Sequence, residues 1–486
     1  MGKLSHLKPE IVWGFFEEIC AIPRPSKKEE KIIEYLKKFG ASHDLPTKVD
    51  SVGNVLISKP ATTGMENKAT IVLQSHVDMV CEKNADVKHD FDNDPIKPYI
   101  DGEWVKAEGT TLGADDGIGV AAQLAILSSK NIQHGPIECL FTIDEETGLT
   151  GAFALEPNFF NGKILLNLDS EDEGEVFIGC AGGIDTLATF DFSRKKKSKN
   201  NLSFSLKITG LKGGHSGDDI NKGLGNSIKI ATRFLIDCTK LFNIRIASFE
   251  GGNLRNAIPR EAVAVFTISD EHIDPLTNYT ENFIRDIKNE LHVTEPNLHI
   301  ECKQLENNFL VINKKTQFNL LYALQGVWNG VVEMSRDIPG LVETSTNLAS
   351  IKFVDEDKIV VTTSQRSSVD SQKKCIAQTV ESVFTLAKAK VEHSDGYPGW
   401  QPNPNSAILA VAVETYKKMF GVEPKVKAIH AGLECGLFLE KYPELDMISF
   451  GPTLRDVHSP DERINIESTQ KFWDYLIAII QNAPKK

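Results

Sequence analysis

The feature that most constrains this chain is a set of short apolar runs that each end in acid or histidine. Ala69–Leu73 reads as a buried strand and leads into Gln74-Ser75-His76-Val77-Asp78-Met79. Ile137–Ile143 ends in Asp144-Glu145-Glu146-Thr147-Gly148, and Lys163–Leu168 ends in Asp169-Ser170-Glu171. One acidic strand end is commonplace, because strands end where the chain meets water. Three of them plus His76 predict a single cluster. The runs alternate with helical stretches such as Val120–Ser128, which predicts an α/β sheet with a substantial parallel part. Sheets of that kind place their chemistry at strand ends. His76 and Asp78 are two residues apart and would point the same way on an extended backbone.

Composition narrows the class of molecule. The 486 residues exceed one typical domain, and 41 % hydrophobic with 25 % charged residues is an ordinary globular mixture. Lys plus Arg total 54 and Asp plus Glu 67, a net charge of -13 that argues against a general binder of nucleic acid. The eight cysteines are spread along the chain with no Cys-x-x-Cys pair, which reads as reduced thiols of a cytosolic-type compartment. Met1-Gly2-Lys3-Leu4-Ser5-His6 lacks the apolar core of a signal peptide and misses the myristoylation pattern. No run of 18 apolar residues is present. The expectation is a cytoplasmic protein without a membrane span.

Leu7–Ile22 predicts a helix, broken by Pro23-Arg24-Pro25-Ser26. Ser26 followed three residues later by Glu29 predicts a capping box that opens a second helix to Gly40. Asp101-Gly102-Glu103 predicts a hairpin turn. Beyond about Gly183 the character changes. The basic run Arg194–Lys199 reads as a solvated loop, Leu202–Ile208 alternates like a half-exposed strand, and the glycine-rich Gly210–Gly217 carries His215. Helices are predicted at Leu224–Leu241 and Glu281–Leu291, and strands at Ala262–Ile268 and Ile359–Thr363, a span long enough for two small α+β units. Gly396–Pro402 is a Pro/Gly-rich joint. After it come helices at Ala407–Phe420, with Gly421 as its C′ residue, and at Gly432–Tyr442. The strand Leu445–Phe450, a loop carrying His458 and a last helix, Glu467–Asn482, complete the chain. The expected organisation is one α/β domain made of residues 1–183 and 398–486, interrupted by an α+β domain over 184–397.

The candidates for one site are His76, Asp78, Asp115, Glu145, Glu146, Asp169 and His458. Two imidazoles and several carboxylates, with no thiolate, suit Zn²⁺ or a similar divalent ion. Two ions sharing a bridging carboxylate need five ligands and leave a place for water. One extra carboxylate beside that water could act as general base, and the adjacent pair Glu145-Glu146 suits a division into ligand and base. Phosphate binding through Gly210–Gly225 is disfavoured, because no Gly-x-x-x-x-Gly-Lys-Ser/Thr pattern is present.

A series of segments, in order, resembles the M20 metallopeptidases, and within them the aminoacyl-histidine dipeptidase (Xaa-His dipeptidase, carnosinase-like) subfamily. They are Ser75–Val80, Pro98–Trp104, Gly109–Gly117, Asp144–Gly148, Asn167–Glu171, Gly213–Gly217, Gly251–Arg260 and Ala431–Gly436. The resemblance covers almost the full length. It implies a catalytic domain with a mixed, largely parallel central sheet and an inserted α+β lid domain. It implies that Asp115 bridges two divalent ions, with His76 and Asp169 completing one and Glu146 and His458 the other. Glu145 is then the general base, Asp78 orients His76, and a cis peptide joins Asp115 and Asp116. His215 resembles a residue that stabilises the oxyanion, and Asn256 and Arg366 resemble groups that hold the substrate, Arg366 through its C-terminal carboxylate. Cys81-Glu82 and Asp116 depart from what bacterial relatives tend to carry, Pro-Gln and Asn.

The implied activity is metal-dependent hydrolysis of unblocked dipeptides, Xaa-His such as β-Ala-His and others. The implied cofactors are two divalent ions, zinc first and Mn²⁺ or Co²⁺ as alternatives. A tripeptidase or an N-acyl amino acid amidohydrolase keeps the fold and metals but changes the amide. A scaffold that had lost its metals is disfavoured by the intact ligand set. Family members are often homodimers, while an insertion of this length could also supply the lid within one chain.

Overall fold

The computed structural model describes residues 4–198, 200–307 and 309–486. Met1–Lys3, which open the segment read for targeting, and Lys199 of the basic run lie outside the described residues.

All six residues of the strand Ile71–His76 are buried, as an apolar strand covered on both faces must be. It lies in an eight-stranded sheet whose order is Thr47–Val49, Val55–Lys59, Ile137–Thr142, Ile71–His76, Ile164–Asn167, Asp446–Ser449, Glu175–Cys180 and Lys425–Ile429. The four strands from Ile137–Thr142 to Asp446–Ser449 run parallel, and antiparallel pairs flank them. The register pairs His76 with Thr142 and Gln74 with Asn167. The polar segments that follow these strands therefore leave from one edge. The helix Ala114–Ser128 packs against Ile71–His76, and its alanines and glycines let it bury nearly every side. A small antiparallel sheet orders Leu454–Arg455, Arg463–Asn465, Trp104–Ala107 and Pro98–Asp101, with the predicted turn at Gly102. His458 lies in the loop between the first two of those strands, in the left-handed region at φ 61°. These elements belong to one compact unit, Met1–Gly179 with Pro402–Ala428 and Leu433–Lys486.

The second unit is Cys180–Gln401 with Ile429–Gly432. The span that reads as long enough for two small α+β units carries one nine-stranded antiparallel sheet over a large core, with a small satellite cluster at Ile220, Ile258 and Val342 among the described residues. Phe234, Phe249, Phe266 and Phe384 are fully buried in that core. The helix Ser227–Phe242 is capped by Asn226, whose side chain accepts from the N–H of Ile228 and Lys229.

Three local expectations are revised. The second helix begins at Glu30 without a capping box, because Ser26 Oγ instead donates to Asp78 Oδ2 at 2.7 Å. The helix predicted from Glu281 begins at Ile273, since Pro275 is accommodated in a first turn. In the basic run, Arg194–Lys195 pairs with Val311–Ile312, and the Arg194 guanidinium lies 4.8 Å from the Phe192 ring centroid. Paired in a strand and with its guanidinium against aromatic rings, this end of the run is not a solvated loop.

Candidate active site

Seven of the predicted residues meet: the parallel register brings His76, Asp78, Glu145, Glu146 and Asp169 to the same ends of the strands, and Asp115 and His458 reach them from neighbouring loops. His76, the last residue of its strand, is 1 % exposed. Its Nε2 lies 3.2 Å from Asp115 Oδ1 and 3.5 Å from Asp169 Oδ1, and its Nδ1 lies 3.3 Å from Asp78 Oδ1. His458 Nε2 lies 3.2 Å from Asp115 Oδ2 and 3.0 Å from Glu146 Oε2. The two oxygens of Asp115 thus face two different imidazoles. Asp115 sits where backbone angles depart from the helix that follows, and its peptide to Asp116 is cis. Asp78 lies beyond the strand, yet its carboxylate still reaches His76 and also accepts from the N–H of Glu145 at 3.0 Å and of Glu146 at 3.3 Å. It therefore fixes the turn that presents both glutamates.

Electrostatics shows what the cluster lacks. Five carboxylates surround two imidazoles. Burial works against charge on His76, but Asp169, Asp115 and Asp78 raise its pKa well above the usual histidine range. Asp115 and Glu146 push His458 up to about 11. Burial would raise Asp78, but His76, Ser26 and the Glu145 N–H hold it at about 2. Burial would likewise raise Asp115, yet its hydrogen bonds to His458 and His76 hold it below the usual carboxylate range. Burial raises Glu145, and Glu434, Glu146 and Asp115 add to that effect. The cluster calls for more positive charge than two imidazoles supply.

The donors fit two divalent ions. His76, Asp115 and Asp169 offer atoms within 4.8 Å of one another, and so do Asp115, Glu146 and His458. Ligands 2.0–2.2 Å from a tetrahedral ion stand roughly 3.3–3.6 Å apart, close to the spacings seen here. Glu146 Oε1 is buried with no hydrogen-bond partner among the described residues, as a further ligand atom would be.

The other three predicted residues lie in the second unit. His215 and Asn256 line one groove of about 780 Å³. His215 Nδ1 is 3.2 Å from Asp218 Oδ2, and Asn256 accepts from the Ser216 N–H through its backbone carbonyl at 2.8 Å. Arg366 is not part of that groove's lining. It is 6 % exposed, donates from Nη1 to Tyr397 Oη at 3.0 Å, and keeps a buried Nε without a partner among the described residues.

Residues 72–482 match the model of peptidase family M20/M25/M40. The chain belongs to that family. Among M20 relatives it is similar to the cytosol non-specific dipeptidase of Escherichia coli (strain K12), 44 % identical over 486 residues and 100 % of both chains. Its fold is similar to the crystal structure of aminoacylhistidine dipeptidase from Vibrio alginolyticus, with a TM-score of 0.93 and 46 % identity over 100 % of this chain and 99 % of that one. Aminopeptidase PepT from Bacillus cereus shares the fold alone, at a TM-score of 0.58 and 18 % identity over 98 % of each chain.

The cluster also rests on residues outside the candidate set. Ser26, which has the pattern of a helix cap, donates to Asp78. Glu434, 1 % exposed, accepts from Gln74 Nε2 at 2.6 Å and Thr142 Oγ1 at 2.9 Å. Gln74 in turn accepts from Asn167 Nδ2 at 2.6 Å, which links a polar side chain from each of three adjacent strands beneath the site. A glutamine and an asparagine near the ends of otherwise apolar strands were the available signal.

Proposed function

We propose that this M20 peptidase is a metal-dependent dipeptidase acting on unblocked dipeptides, of the Xaa-His type such as β-Ala-His and beyond it. The observation that carries the reading is Asp115, with one carboxylate oxygen toward His76 and the other toward His458. In this reading His76, Asp115 and Asp169 hold one divalent ion, and Asp115, Glu146 and His458 hold the other. The N/O donor set suits zinc, and it also accepts Mn²⁺ or Co²⁺. When bound, the ions supply charge that acidifies water and polarises the scissile carbonyl. Glu145, ionised when the ions' charge is in place, would take the proton from water and deliver it to the leaving amine nitrogen. Asp78 keeps base and ligand in register through the Glu145 N–H and His76 Nδ1.

The inserted region, 184–397, keeps the lid role that the resemblance implies. Arg366 anchors the substrate's C-terminal carboxylate; its buried, unpartnered Nε supports this assignment. His215 and Asn256 contact the substrate, supported by their shared groove, with His215 at the oxyanion. Full-length likeness to two dipeptidases supports dipeptides over tripeptides or N-acyl amino acids. Among the described residues no helix is long and apolar enough to cross a membrane. The reading takes dipeptides as partners, without nucleic acid or membrane, a cytosolic location, and a homodimer as one assembly.

The test is amine release from a panel of unblocked dipeptides, including β-Ala-His and Gly-His, before and after chelation and Zn²⁺ or Mn²⁺ add-back. Cleavage lost on chelation and restored by metal is expected. Metal-replete protein that cleaves no dipeptide but does cleave tripeptides or N-acyl amino acids would overturn the assignment.

A further inference from the structure

Asp115 can serve two imidazoles only if its backbone is held still, and two buried charged side chains far away in sequence hold it. The N–H groups of four consecutive residues all point at the carboxylate of Glu462. Leu112 and Gly113 donate to Oε2 at 2.7 and 3.0 Å, and Ala114 and Asp115 donate to Oε1 at 2.8 and 3.4 Å. Arg24 binds the carbonyl side of the same stretch. Its Nη2 donates to Gly113 O at 2.5 Å, while Nη1 donates to Val77 O and Asp78 O, each at 2.8 Å. Both residues are 2 % exposed. A Cβ on Gly113, itself at φ 69°, or on Gly117 would lie 2.6 Å from Nη2, so a side chain at either position would push the guanidinium aside.

The origins of the two side chains matter. Glu462 stands four residues after His458 and ties the loop carrying that imidazole to the loop carrying Asp115. Arg24 stands two residues before Ser26, the donor to Asp78, and ties the exit of the His76 strand to the Asp115 loop. A buried carboxylate is costly unless its lone pairs are met, and here four N–H groups meet them. We propose that Arg24 and Glu462 form a two-sided clamp that positions Asp115 between His76 and His458 and so sets the affinity for both divalent ions. Neither is a catalytic residue. The proposal rests on the ligand assignment made for the dipeptidase.

The test measures metal affinity, not turnover alone. Full-length wild-type protein, Glu462→Gln and Arg24→Lys are stripped of metal and titrated with Zn²⁺ against a competing chelator. The Tm of each metal-free protein is recorded beside it. Gln keeps the volume of Glu but turns an amide N–H₂ toward backbone donors. Lys keeps the charge of Arg but cannot reach three carbonyls with a planar fork. The expected result is two ions per wild-type chain and roughly 10–100-fold weaker Zn²⁺ binding in the variants. At saturating metal, kcat falls while KM for Gly-His holds. Wild-type affinity for both ions in a variant whose metal-free Tm has dropped means the residues act on folding alone, and overturns the clamp. A wild-type stoichiometry below two, or a His458→Ala variant that keeps both ions, overturns the ligand assignment and the clamp with it. If Glu462→Gln does not fold, Arg24→Lys decides by the same readouts.

Discussion

Replacing Asp78 by Asn removes a charge and one acceptor from a residue that is 0 % exposed. Its Oδ1 faces the Glu145 N–H at 3.0 Å and His76 Nδ1 at 3.3 Å; its Oδ2 takes the Ser26 hydroxyl at 2.7 Å and the Glu146 N–H at 3.3 Å. Only one of the two sides can stay an acceptor in Asn. The amide N–H₂ belongs on the Oδ2 side, because the Ser26 hydroxyl can rotate to accept while a backbone N–H cannot. The Glu146 N–H is then left facing a donor. Such a loss costs about 1–3 kcal/mol. That energy falls on the turn holding the proposed base and one proposed ligand. If it is expressed in the transition state, kcat drops about 5–150-fold. The assay is steady-state hydrolysis of Gly-His at saturating Zn²⁺, beside a chelator titration of the same protein. A kcat within twofold of wild type, with unchanged metal affinity, would refute the reasoning that Asp78 keeps this turn and His76 in register.

Three further outcomes are expected. Glu145→Ala should retain both ions by elemental analysis while losing turnover by roughly 10²–10⁴-fold; loss of metal in that variant would make Glu145 a ligand. Arg366→Ala should raise KM for free dipeptides far more than for C-terminally amidated ones, and an equal rise would exclude carboxylate anchoring. Burial first, and Arg366 next, push the pKa of His430 down from 6.5 to about 3, with Ser345 Oγ 2.7 Å from its Nε2. The folded chain keeps His430 neutral while the unfolded chain takes up a proton below pH 6.5. Its stability contribution is therefore whole above that pH and is lost as pH falls toward 3, by up to about 1.4 kcal/mol per pH unit. Urea midpoints between pH 7 and 4 should fall more steeply for wild type than for His430→Gln, and parallel slopes would show that His430 is not buried neutral.

Most elements are legible in the sequence because their signals are local. The apolar run at Ile137–Thr142, the Gly102 turn and Gly421, at φ 74° after Phe420, are each set by residues within a few positions. Side chains with distant partners are not so legible. Ser26 with Glu29 has the pattern of a capping box, but Ser26 serves Asp78, and Glu29 Oε1 accepts the N–H of Lys27 and of Asp144. The basic run reads as solvated because nothing nearby in sequence reveals the ring of Phe353, 5.8 Å from the Arg194 guanidinium.

Local sequence specifies which elements form and which chemical groups stand at their ends. Periodicity and turn chemistry act over a handful of residues, and donor type is a property of each side chain. How those groups meet depends on contacts between residues far apart in the chain. Asp115 divides its oxygens between imidazoles 39 and 343 residues away, and Glu462 reaches across 350 residues to the N–H of Leu112. An acid at a strand end looks like a solvated loop until the parallel register puts three such ends on one edge. The burial that follows raises the cost of every unmatched charge, and that cost leaves the cluster fit for divalent cations.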